Sequence, residues 1–358
     1  MAKFHVLTIA DIRPLTREAV AITFAVPAAL REAFRYWQGQ HLALRASIEG
    51  KPVTRTYSIC AGAPANVLRI AVKRQPHGVF SNFANDELAP GQTLEVMPPR
   101  GHFYTPLEPN QAKHYLAFAA GSGITPVLSI IDTTLAVERA SRFTLVYGNR
   151  TSTSILLREE LEDLKNTYMG RFNLAHVLSR ESTDIELFRG RITQDKCAHL
   201  CERWIDVASI DECFICGPEP MLQAVTEALH AHGIERERIH FELFTTPGEV
   251  KRQCGQRRED RRGDHAVSRI ALVSDGRRLE FDLLRNTDTI LEAGLRAGAD
   301  LPFSCKGGVC ATCRAKLLQG RVEMSANYAL EGDEVEAGYV LTCQSYPLSE
   351  DIVLDYDA

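Results

Sequence analysis

The sequence predicts three domains: an antiparallel β-barrel, a doubly wound α/β domain and a small α+β domain with a β-grasp-like fold. Residues 1–108 contain short strands separated by turn signals and interrupted by one helix, which is typical of a barrel. Over residues 109–244 strands alternate with helices, which indicates a parallel sheet. The hydrophilic linker 245–266 then leads to residues 267–358, which contain four cysteines, three of them in one short run.

The composition allows a core in each domain and excludes two classes of function. The chain has 358 residues, of which 45% are hydrophobic and 24% are charged. The net charge of −5 gives no basic surface for nucleic acid, and no apolar run approaches the ~18 residues of a membrane helix. The ten cysteines follow no secretory signal, so we expect a cytoplasmic protein whose thiols bind metal rather than form disulfides.

Negative charge is concentrated in the third domain. Residues 267–358 carry nine Lys/Arg and fifteen Asp/Glu, whereas residues 1–266 have a net charge of +1. Such an acidic domain is suited to docking against a basic face, either on a partner or on the first two domains. A merely solvated acidic surface is the alternative.

The individual elements follow from hydrophobic periodicity and turn residues. Barrel strands are predicted at Phe4–Ala10, Ala19–Val26, Gln40–Ala46, Thr54–Ile59, Val67–Lys73 and Thr93–Met97, with a helix at Val79–Leu88. The α/β domain has predicted strands at His114–Ala119, Phe143–Tyr147, Phe172–Leu178, Cys213–Cys216 and His240–Leu243, and helices from Thr125 and at Leu157–Tyr168, Thr193–Trp204 and Pro218–His232. The third domain begins with a hairpin, Ser268–Val273 and Arg278–Leu283, and a helix, Thr289–Ala299.

The four cysteines of the third domain have the spacing of a metal site. Cys305, Cys310 and Cys313 form C-x4-C-x2-C, and Cys343 follows much later, which is the plant-type arrangement for a [2Fe–2S] cluster. The two glycines between Cys305 and Cys310 tolerate positive φ in a tight loop and let N–H groups approach the cluster. A zinc site would need two short cysteine pairs, and disulfides would need an oxidising compartment. We therefore expect all four cysteines to be cluster ligands.

Two motifs in the barrel are suited to the two ends of FAD. The end of a predicted strand reads RTYS (55–58), which is a weak signal alone because a strand tyrosine is more often part of a core. The run GVFS (78–81) opens the predicted helix, and a helix N terminus presents free N–H groups to a phosphate. Together the two motifs predict sites for an isoalloxazine and a pyrophosphate.

The α/β domain contains a loop and a strand end that are suited to a nicotinamide coenzyme. The run GSGITP (121–126) follows a strand and opens a helix, so its glycines let the backbone approach a pyrophosphate, although it is shorter than the full dinucleotide fingerprint. Arg150 ends the second strand and is followed by Thr151 and Ser154. NAD-selective sheets usually have an acid there, so these residues favour the 2′-phosphate of NADPH, with a surface arginine as the alternative.

These motifs resemble those of the ferredoxin–NADP reductase superfamily. The resemblance implies that Arg55 meets the FAD pyrophosphate, that Tyr57 lies against the flavin and that Ser58 approaches flavin N5. It implies a phosphate-binding role for Gly78 and Ser81.

The same resemblance implies a nicotinamide site at the strand ends of the α/β domain. Its predicted members are Gly121, Ser122, Gly123, Thr125, Arg150, Ser154, Gly217 and Pro218. Phe244 would cover the flavin until nicotinamide displaces it, with a buried core phenylalanine as the alternative. Ser58, Thr125 and Cys216 would be the catalytic residues where flavin and nicotinamide meet.

Over all three domains the chain resembles the reductase subunits of phenylacetyl-CoA 1,2-epoxidase complexes. Matching runs include RTYSIC, AAGSGITP, FICGPEPM and CKGGVCATC. The resemblance implies that electrons pass from NADPH through FAD and a [2Fe–2S] cluster to di-iron oxygenase subunits, which epoxidise phenylacetyl-CoA in aerobic phenylacetate catabolism. The alternatives are a reductase for another oxygenase, such as a ring-hydroxylating dioxygenase, and a non-enzymatic metal-binding protein.

Overall fold

The computed structural model describes residues 4–182, 184–244, 266–274, 276–285, 287–303 and 305–358. The predicted linker 245–266 lies outside these residues except for its last one. Contacts divide the chain into two compact units, one made of His5–Val53 and Tyr57–Phe244 and the other of Phe4, Thr54–Thr56 and the described residues from 266 onward. In the part that is described, no helix is long and apolar enough to cross a membrane.

The first unit begins with the predicted barrel. Its strands are β1 (His5–Thr16), β2 (Ala19–Ala25), β3 (His41–Ile48), β4 (Lys51–Ser58), β5 (Leu68–Lys73) and β6 (Thr93–Val96), with helix α1 (Val79–Asp86) between β5 and β6. They form one sheet of order β4-β3-β6-β1-β2-β5. An antiparallel bridge between Ile59 and Ile70 joins the residue after β4 to β5 and closes the barrel. Apolar side chains such as Leu7, Ile22 and Leu44 fill its interior.

Strand β1 extends well beyond its predicted end at Ala10. Its pairing with β2 shifts register between Ile9 and Asp11 and again between Pro14 and Thr16. Such bulges interrupt the two-residue alternation on which a strand prediction depends. The second half of β1 was therefore not recognisable from the sequence.

The α/β domain has the predicted parallel sheet. Its strands are β7 (His114–Ala120), β8 (Arg142–Asn149), β9 (Phe172–Leu178), β10 (Glu212–Gly217) and β11 (Ile239–Leu243), and its helices are α2 (Ile124–Val137), α3 (Arg158–Thr167), α4 (Gln194–Arg203) and α5 (Glu219–Ala231). The order is β11-β10-β7-β8-β9, and all neighbouring strands are parallel. The chain therefore reverses its direction of winding between β7 and β10. In doubly wound folds, ligands bind at such a switch point.

The second unit is a small mixed sheet with two helices. In chain order its elements are β12 (Val267–Ser274), β13 (Arg277–Leu284), α6 (Ile290–Arg296), β14 (Arg314–Gln319), β15 (Val322–Met324), α7 (Gly332–Glu336), β16 (Tyr339–Leu341), β17 (Ser345–Pro347) and β18 (Asp351–Asp355). The larger sheet has the order β13-β12-β18-β14-β16, in which β12 and β18 are parallel. The smaller one pairs β15 with β17. A core that includes Ile270, Ile290 and Leu341 lies under α6.

Helix α6 is shorter than the predicted Thr289–Ala299. Thr289 is its N-cap, because the Thr289 hydroxyl accepts a hydrogen bond from the backbone N–H of Glu292 at 3.2 Å. Gly298, at φ +91°, has the left-handed conformation that commonly ends helices. Both signals are readable from the sequence, so the prediction differs only at the helix ends.

Candidate electron-transfer sites

The cysteine loop connects α6 to β14 and has an unusual backbone. Lys306, Gly308 and Ala311 all have positive φ. A Cβ on Gly308 would lie 2.9 Å from the carbonyl oxygen of Ala326, so a side chain does not fit there. The other two positions hold side chains in a conformation that costs about 1–3 kcal/mol each and that is concentrated at ligand-binding loops. The loop is thus shaped to fit a ligand.

Backbone N–H groups of this loop point at cysteine sulfurs. The Sγ of Cys305 accepts hydrogen bonds from Gly307 N at 3.3 Å and Val309 N at 3.4 Å. Hydrogen bonds from the Cys310 and Cys343 thiols and from these amides hold the pKa of Cys305 well below its ordinary value. The pKa values of Cys310 and Cys343 are raised because these thiols keep their protons beside Cys305 and are buried. Since thiolate is the metal-binding form of cysteine, the surroundings of Cys305 favour metal ligation by this residue.

Hydrogen bonds bring the distant fourth cysteine to the same loop. Thr342 donates through its hydroxyl to the carbonyl oxygen of Cys313 at 2.9 Å. Gln344, which directly follows Cys343, donates through its side-chain amide to the carbonyl oxygen of Lys306 at 2.9 Å, and this amide nitrogen lies 3.9 Å from the Sγ of Cys343. The predicted ligands therefore lie together.

The donor set fits a [2Fe–2S] cluster better than a single metal ion. Among the described residues, no group of three or more His, Cys, Asp or Glu side chains surrounds a point where one ion would sit. A [2Fe–2S] cluster is larger and is held by four cysteines, two to each iron. Soft thiol donors, N–H groups aimed at sulfur and the close approach at Gly308 all suit this cluster.

In the barrel, the predicted flavin residues lie at the end of β4 and the start of α1. The ring of Tyr57 lies 5.5 Å from the ring of Phe80, centroid to centroid, so β4 and α1 are in contact at this point. The guanidinium of Arg55 donates to the carbonyl oxygen of Thr54 at 2.7 Å. The structure thus brings the RTYS and GVFS motifs together on one side of the barrel.

The turn before α1 is held by Ser81. Its hydroxyl accepts a hydrogen bond from Gln75 N at 3.1 Å and lies 3.3 Å from the carbonyl oxygen of Gly78. A Cβ on Gly78 would lie 2.4 Å from the Ser81 hydroxyl, so the turn requires glycine. Ser81 therefore shapes the turn, while the first N–H groups of α1 are the donors that suit a phosphate.

In the α/β domain, the predicted nicotinamide loop packs against the end of β10. A Cβ on Gly123 would lie 2.2 Å from the carbonyl oxygen of Cys216, and a Cβ on Gly217 would lie 2.6 Å from the Cε of Met221. The first approach brings the loop after β7 against the end of β10 at the switch point, and the second packs the end of β10 against α5. Gly121 has φ +54° and open space around it. The predicted site is therefore assembled at the place where this fold binds ligands.

The hydroxyl of Thr125 and the thiol of Cys216 are both buried at this site. Thr125 donates through its hydroxyl to the carbonyl oxygen of Ser122 at 3.0 Å, which fixes the loop. Burial raises the pKa of Cys216 well above its ordinary value, and the negative charge of Glu242 adds to this effect. Cys216 is thus a neutral thiol.

Glu242 is a site residue that the sequence analysis missed. Its carboxylate accepts a hydrogen bond from the hydroxyl of Ser58 at 3.3 Å and lies 3.6 Å from the Nδ1 of His41. Glu242 pairs with Cys216 in the register of β10 and β11, so it links the barrel to the switch point. An acidic residue near the carboxyl end of a predicted strand was the available signal, but its burial and its contact with β4 were not predictable.

Phe244 lies at the edge of the α/β core. Its N–H donates to the carbonyl oxygen of Gly217 at 3.4 Å, and its half-buried ring packs against the core cluster that contains Cys216. It therefore lies beside the predicted nicotinamide motif. Whether it covers the flavin stays a prediction.

The ends of β8 and β9 place two arginines side by side. The carbonyl oxygen of Arg150 accepts a hydrogen bond from Arg180 N at 2.8 Å, and both side chains are exposed. The hydroxyl of Ser154 accepts a hydrogen bond from the N–H of Thr151 and donates one to the carbonyl oxygen of Thr151. Ser154 thus stabilises the turn, whereas Arg180 is a second cation that the sequence analysis did not identify.

Three family models match consecutive parts of the chain. The model described as an oxidoreductase FAD-binding domain matches residues 7–104. The oxidoreductase NAD-binding domain matches residues 118–227, and the 2Fe-2S iron-sulfur cluster binding domain matches residues 272–348. Each match falls on the corresponding predicted domain.

Two curated relatives align with nearly the whole chain. The chain is 48% identical over 360 residues to a subunit of 1,2-phenylacetyl-CoA epoxidase from Escherichia coli (strain K12), and the alignment covers 100% of this chain and 99% of that protein. It is 33% identical over 365 residues to the ferredoxin reductase component of 3-ketosteroid-9-alpha-monooxygenase from Rhodococcus rhodochrous, with 98% and 96% covered. Proteins named for two different oxygenases therefore align with all or nearly all of this chain.

Solved structures confirm the predicted fold. Phthalate dioxygenase reductase, described as a modular structure for electron transfer from pyridine nucleotides to [2Fe–2S], matches with a TM-score of 0.58 and 23% identity over 98% of both chains. An intact type IV self-sufficient cytochrome P450 monooxygenase matches with a TM-score of 0.67 and 23% identity over 98% of this chain, which spans 41% of that one. At these identities the likeness concerns the fold alone.

Proposed function

The chain belongs to the family of NAD(P)H-dependent flavin oxidoreductases that join FAD-binding, NAD-binding and 2Fe–2S domains, and from this premise we propose that it supplies NADPH electrons to the di-iron oxygenase subunits of a phenylacetyl-CoA epoxidase. Full-length identity of 48% to one subunit of such an enzyme supports the choice of partner. The observation that carries electron transfer is the contact of Ser58, from the barrel, with Glu242, from the nucleotide domain. This contact marks where a flavin and a nicotinamide would meet.

The cofactors supply the redox chemistry, and the residues position them. FAD accepts two electrons together as hydride and releases them singly, as a [2Fe–2S] cluster requires. We assign the FAD pyrophosphate to Arg55 and to the N–H groups after Gly78, and the flavin ring to Tyr57 and Ser58. Ser81 fixes the turn that presents those N–H groups.

The nicotinamide side of the site is assigned to the switch point. Gly121, Gly123 and Gly217 let the backbone approach the coenzyme, Ser122 and Pro218 flank these close approaches, and Thr125 fixes the loop. The neutral thiol of Cys216 and the carboxylate of Glu242 line the place where hydride would move, and Phe244 would be displaced by nicotinamide. Ser58, Thr125 and Cys216 are the proposed catalytic residues.

NADPH is the proposed coenzyme because two exposed arginines adjoin at the strand ends where the adenosine ribose binds in this fold. A backbone hydrogen bond joins Arg150 and Arg180, and both side chains are exposed. Paired guanidinium groups bind a phosphate strongly.

We further propose domain boundaries of 1–108, 109–244 and 267–358. We also propose a cytoplasmic location, because the metal-binding thiols need reducing conditions.

Reconstitution tests the proposed function. The purified protein would be mixed with phenylacetyl-CoA epoxidase oxygenase subunits, phenylacetyl-CoA and either NADPH or NADH, and epoxide formation would be compared with coenzyme consumption. We expect coupled turnover with NADPH. Rapid reduction of cytochrome c without epoxide would retain the reductase and reject the partner, in favour of another oxygenase. A colourless anaerobic preparation would contradict both the flavin and the cluster.

A further inference from the structure

We propose that helix α2 is a spacer that fixes the distance between nicotinamide and flavin, and that Ser129, Asp132 and Thr133 are positioning residues that hold this helix against the barrel. The inference rests on the proposed transfer of hydride from NADPH to FAD. Helix α2 begins directly after the loop Gly121–Gly123, and Thr125 lies in its first turn. The helix therefore starts at the predicted nicotinamide site.

The barrel segment Ala61–Ala63 makes three hydrogen bonds with α2. The carbonyl oxygen of Ala61 accepts a hydrogen bond from the Ser129 hydroxyl at 2.7 Å. The N–H of Gly62 donates to Asp132 Oδ2 at 3.0 Å, and the N–H of Ala63 donates to Thr133 Oγ1 at 2.9 Å. The hydroxyl of Thr133 in turn donates to the carbonyl oxygen of Ser129 at 2.7 Å. We call this set of bonds the α2 latch.

The barrel segment of the α2 latch, Ala61–Ala63, is also fixed in position. A Cβ on Gly62 would lie 2.3 Å from Asp132 Oδ2, so glycine at this position leaves room for the carboxylate of Asp132. From inside the barrel, the hydroxyl of Tyr36 lies 3.2 Å from the carbonyl oxygen of Ala61 and 3.0 Å from that of Gly62. The segment is therefore fixed from two directions.

Both connections between the latch and the reacting groups are short. A helix rises 1.5 Å per residue, so Ser129 lies about 6 Å and Asp132 about 10 Å along the axis from Thr125. On the barrel side Ser58 precedes Ala61 by three residues, which span at most about 10 Å of extended chain. Because these connections are short, a displacement at the α2 latch would also shift the predicted flavin and nicotinamide sites.

Hydride transfer is sensitive to such a displacement. Reacting atoms must approach to about 3–3.5 Å, and a misplacement of about 1 Å can reduce a rate about 100-fold. The barrel and the nucleotide domain make other contacts, such as the ion pair of Arg13 with Glu159 of α3 at 3.3 Å and the hydrogen bond of Ser58 with Glu242 of β11, but these do not involve α2. The latch is the contact that shares a helix with the nicotinamide loop, so it is suited to set this distance.

The test is stopped-flow reduction of the FAD-loaded protein by NADPH, with and without deuterium at the transferred C4 position. We expect Asp132→Ala and Thr133→Val to lower the rate constant of flavin reduction about 10-fold or more, with the Kd for NADPH changed less than about twofold. The deuterium isotope effect on flavin reduction should change in both variants. Asp132→Asn, which keeps an acceptor oxygen, should retain most of the rate.

Thr134→Val and Arg13→Gln are the matched controls. Thr134 is buried on the same helix, and its hydroxyl has no hydrogen-bond partner among the described residues. Arg13→Gln breaks a contact between the same two domains away from the latch. Both controls should reduce FAD at the wild-type rate, which separates the latch from general destabilisation of the helix or of the domain contact.

Two outcomes would overturn the inference. One is a wild-type rate and isotope effect in Asp132→Ala and Thr133→Val, even if their melting temperatures fall, because the latch would then be only structural. The other is an equal loss of rate in Thr133→Val and Thr134→Val. If Asp132→Ala does not fold, the Thr133→Val and Thr134→Val pair decides alone. Failure of the wild-type protein to oxidise NADPH would instead reject the proposed function.

Discussion

Arg150 and Arg180 lie at adjacent strand ends, joined by a backbone hydrogen bond of 2.8 Å. NADH lacks the 2′-phosphate that these guanidinium groups would bind. A hydrogen bond to a charged group contributes about 1.5–3 kcal/mol, and 1.4 kcal/mol corresponds to about tenfold in affinity. We therefore expect Arg150→Ala and Arg180→Ala each to raise the KM for NADPH about tenfold or more, with the KM for NADH changed less than about twofold.

Steady-state kinetics with both coenzymes checks this prediction. Arg142→Ala is the control, since Arg142 is an exposed arginine at the opposite end of the same strand, β8. It should leave both KM values unchanged. Equal increases for NADPH and NADH in Arg150→Ala would exclude Arg150 from 2′-phosphate binding.

His114, at the start of β7, makes the stability of the nucleotide domain depend on pH. Its ring nitrogens lie 2.8 Å from the hydroxyls of Ser209 and Thr144. Burial, together with the charge of Arg142, lowers the pKa of His114 from 6.5 to about 4. Between these values the unfolded chain binds a proton that the folded chain does not. The free energy of unfolding therefore falls as pH decreases from 6.5 to 4, by about 3 kcal/mol from this group.

Urea unfolding of the wild type and of His114→Gln at several pH values tests this prediction. The variant lacks the titrating ring, so the difference in unfolding free energy between wild type and variant should shrink by about 3 kcal/mol from pH 7 to pH 4. Carboxylates titrate in both proteins, and their contribution cancels in the difference. A difference that is constant with pH would mean that His114 has the same pKa in the folded and the unfolded chain.

At the scale of elements, local signals predicted most of the fold. The cap at Thr289, the glycines of the nicotinamide loop and the cysteine spacing each depend on neighbouring residues, and such features are readable from a sequence. The contact of Ser58 with Glu242 joins β4 to β11 across the chain, so no local pattern could indicate it. Helix α7 was also missed, because its five residues are too few for helical periodicity.

Helix α7 carries part of the acidic surface of the third domain. Asp333 and Glu336 are exposed on it, and the segment that leads into it is tied to the cysteine loop because Tyr328 N donates to the carbonyl oxygen of Gly308 at 3.0 Å. A basic acceptor would be attracted to this surface. We expect Asp333→Lys with Glu336→Lys to slow electron transfer to the oxygenase about tenfold at low ionic strength.

The salt dependence of this rate is the measurement. Surface charges are screened within about 10 Å at 0.1 M salt, so variant and wild type should converge as salt increases. Reduction of ferricyanide, a small anion that needs no docking surface, should not slow in the variant. The matched control is Glu350→Lys with Asp351→Lys, because it also reverses two exposed acids, at the start of β18 and near the end of β14 remote from the cysteine loop. An equal effect of this control variant would indicate net charge rather than docking at α7.

At the scale of the whole molecule, the order of domains predicts the order of electron transfer. Tyr57, Ser58, the GVFS motif and the nicotinamide loop lie in one compact unit, and the cysteine loop lies in the other, to which Arg55 also belongs. The proposed catalytic residues for hydride transfer, Ser58, Thr125 and Cys216, belong to the first unit, and the predicted cluster ligands that deliver single electrons belong to the second. The two halves of the reaction should be separable by a substitution in only one unit.

Cys310→Ser is that substitution. Cys310 is a buried predicted ligand, and a serine hydroxyl is a harder and shorter donor than a thiolate, so the variant should lose the visible absorbance of the cluster. Electron delivery to the oxygenase should fall more than about 100-fold, while reduction of FAD by NADPH stays within about twofold of wild type. Cys60→Ala is the control, because this buried thiol lies in the barrel, outside the cysteine loop, and should leave the cluster intact. If Cys310→Ser still formed epoxide at the wild-type rate, electrons would reach the oxygenase without the cluster, and the function assigned to the second unit would be wrong.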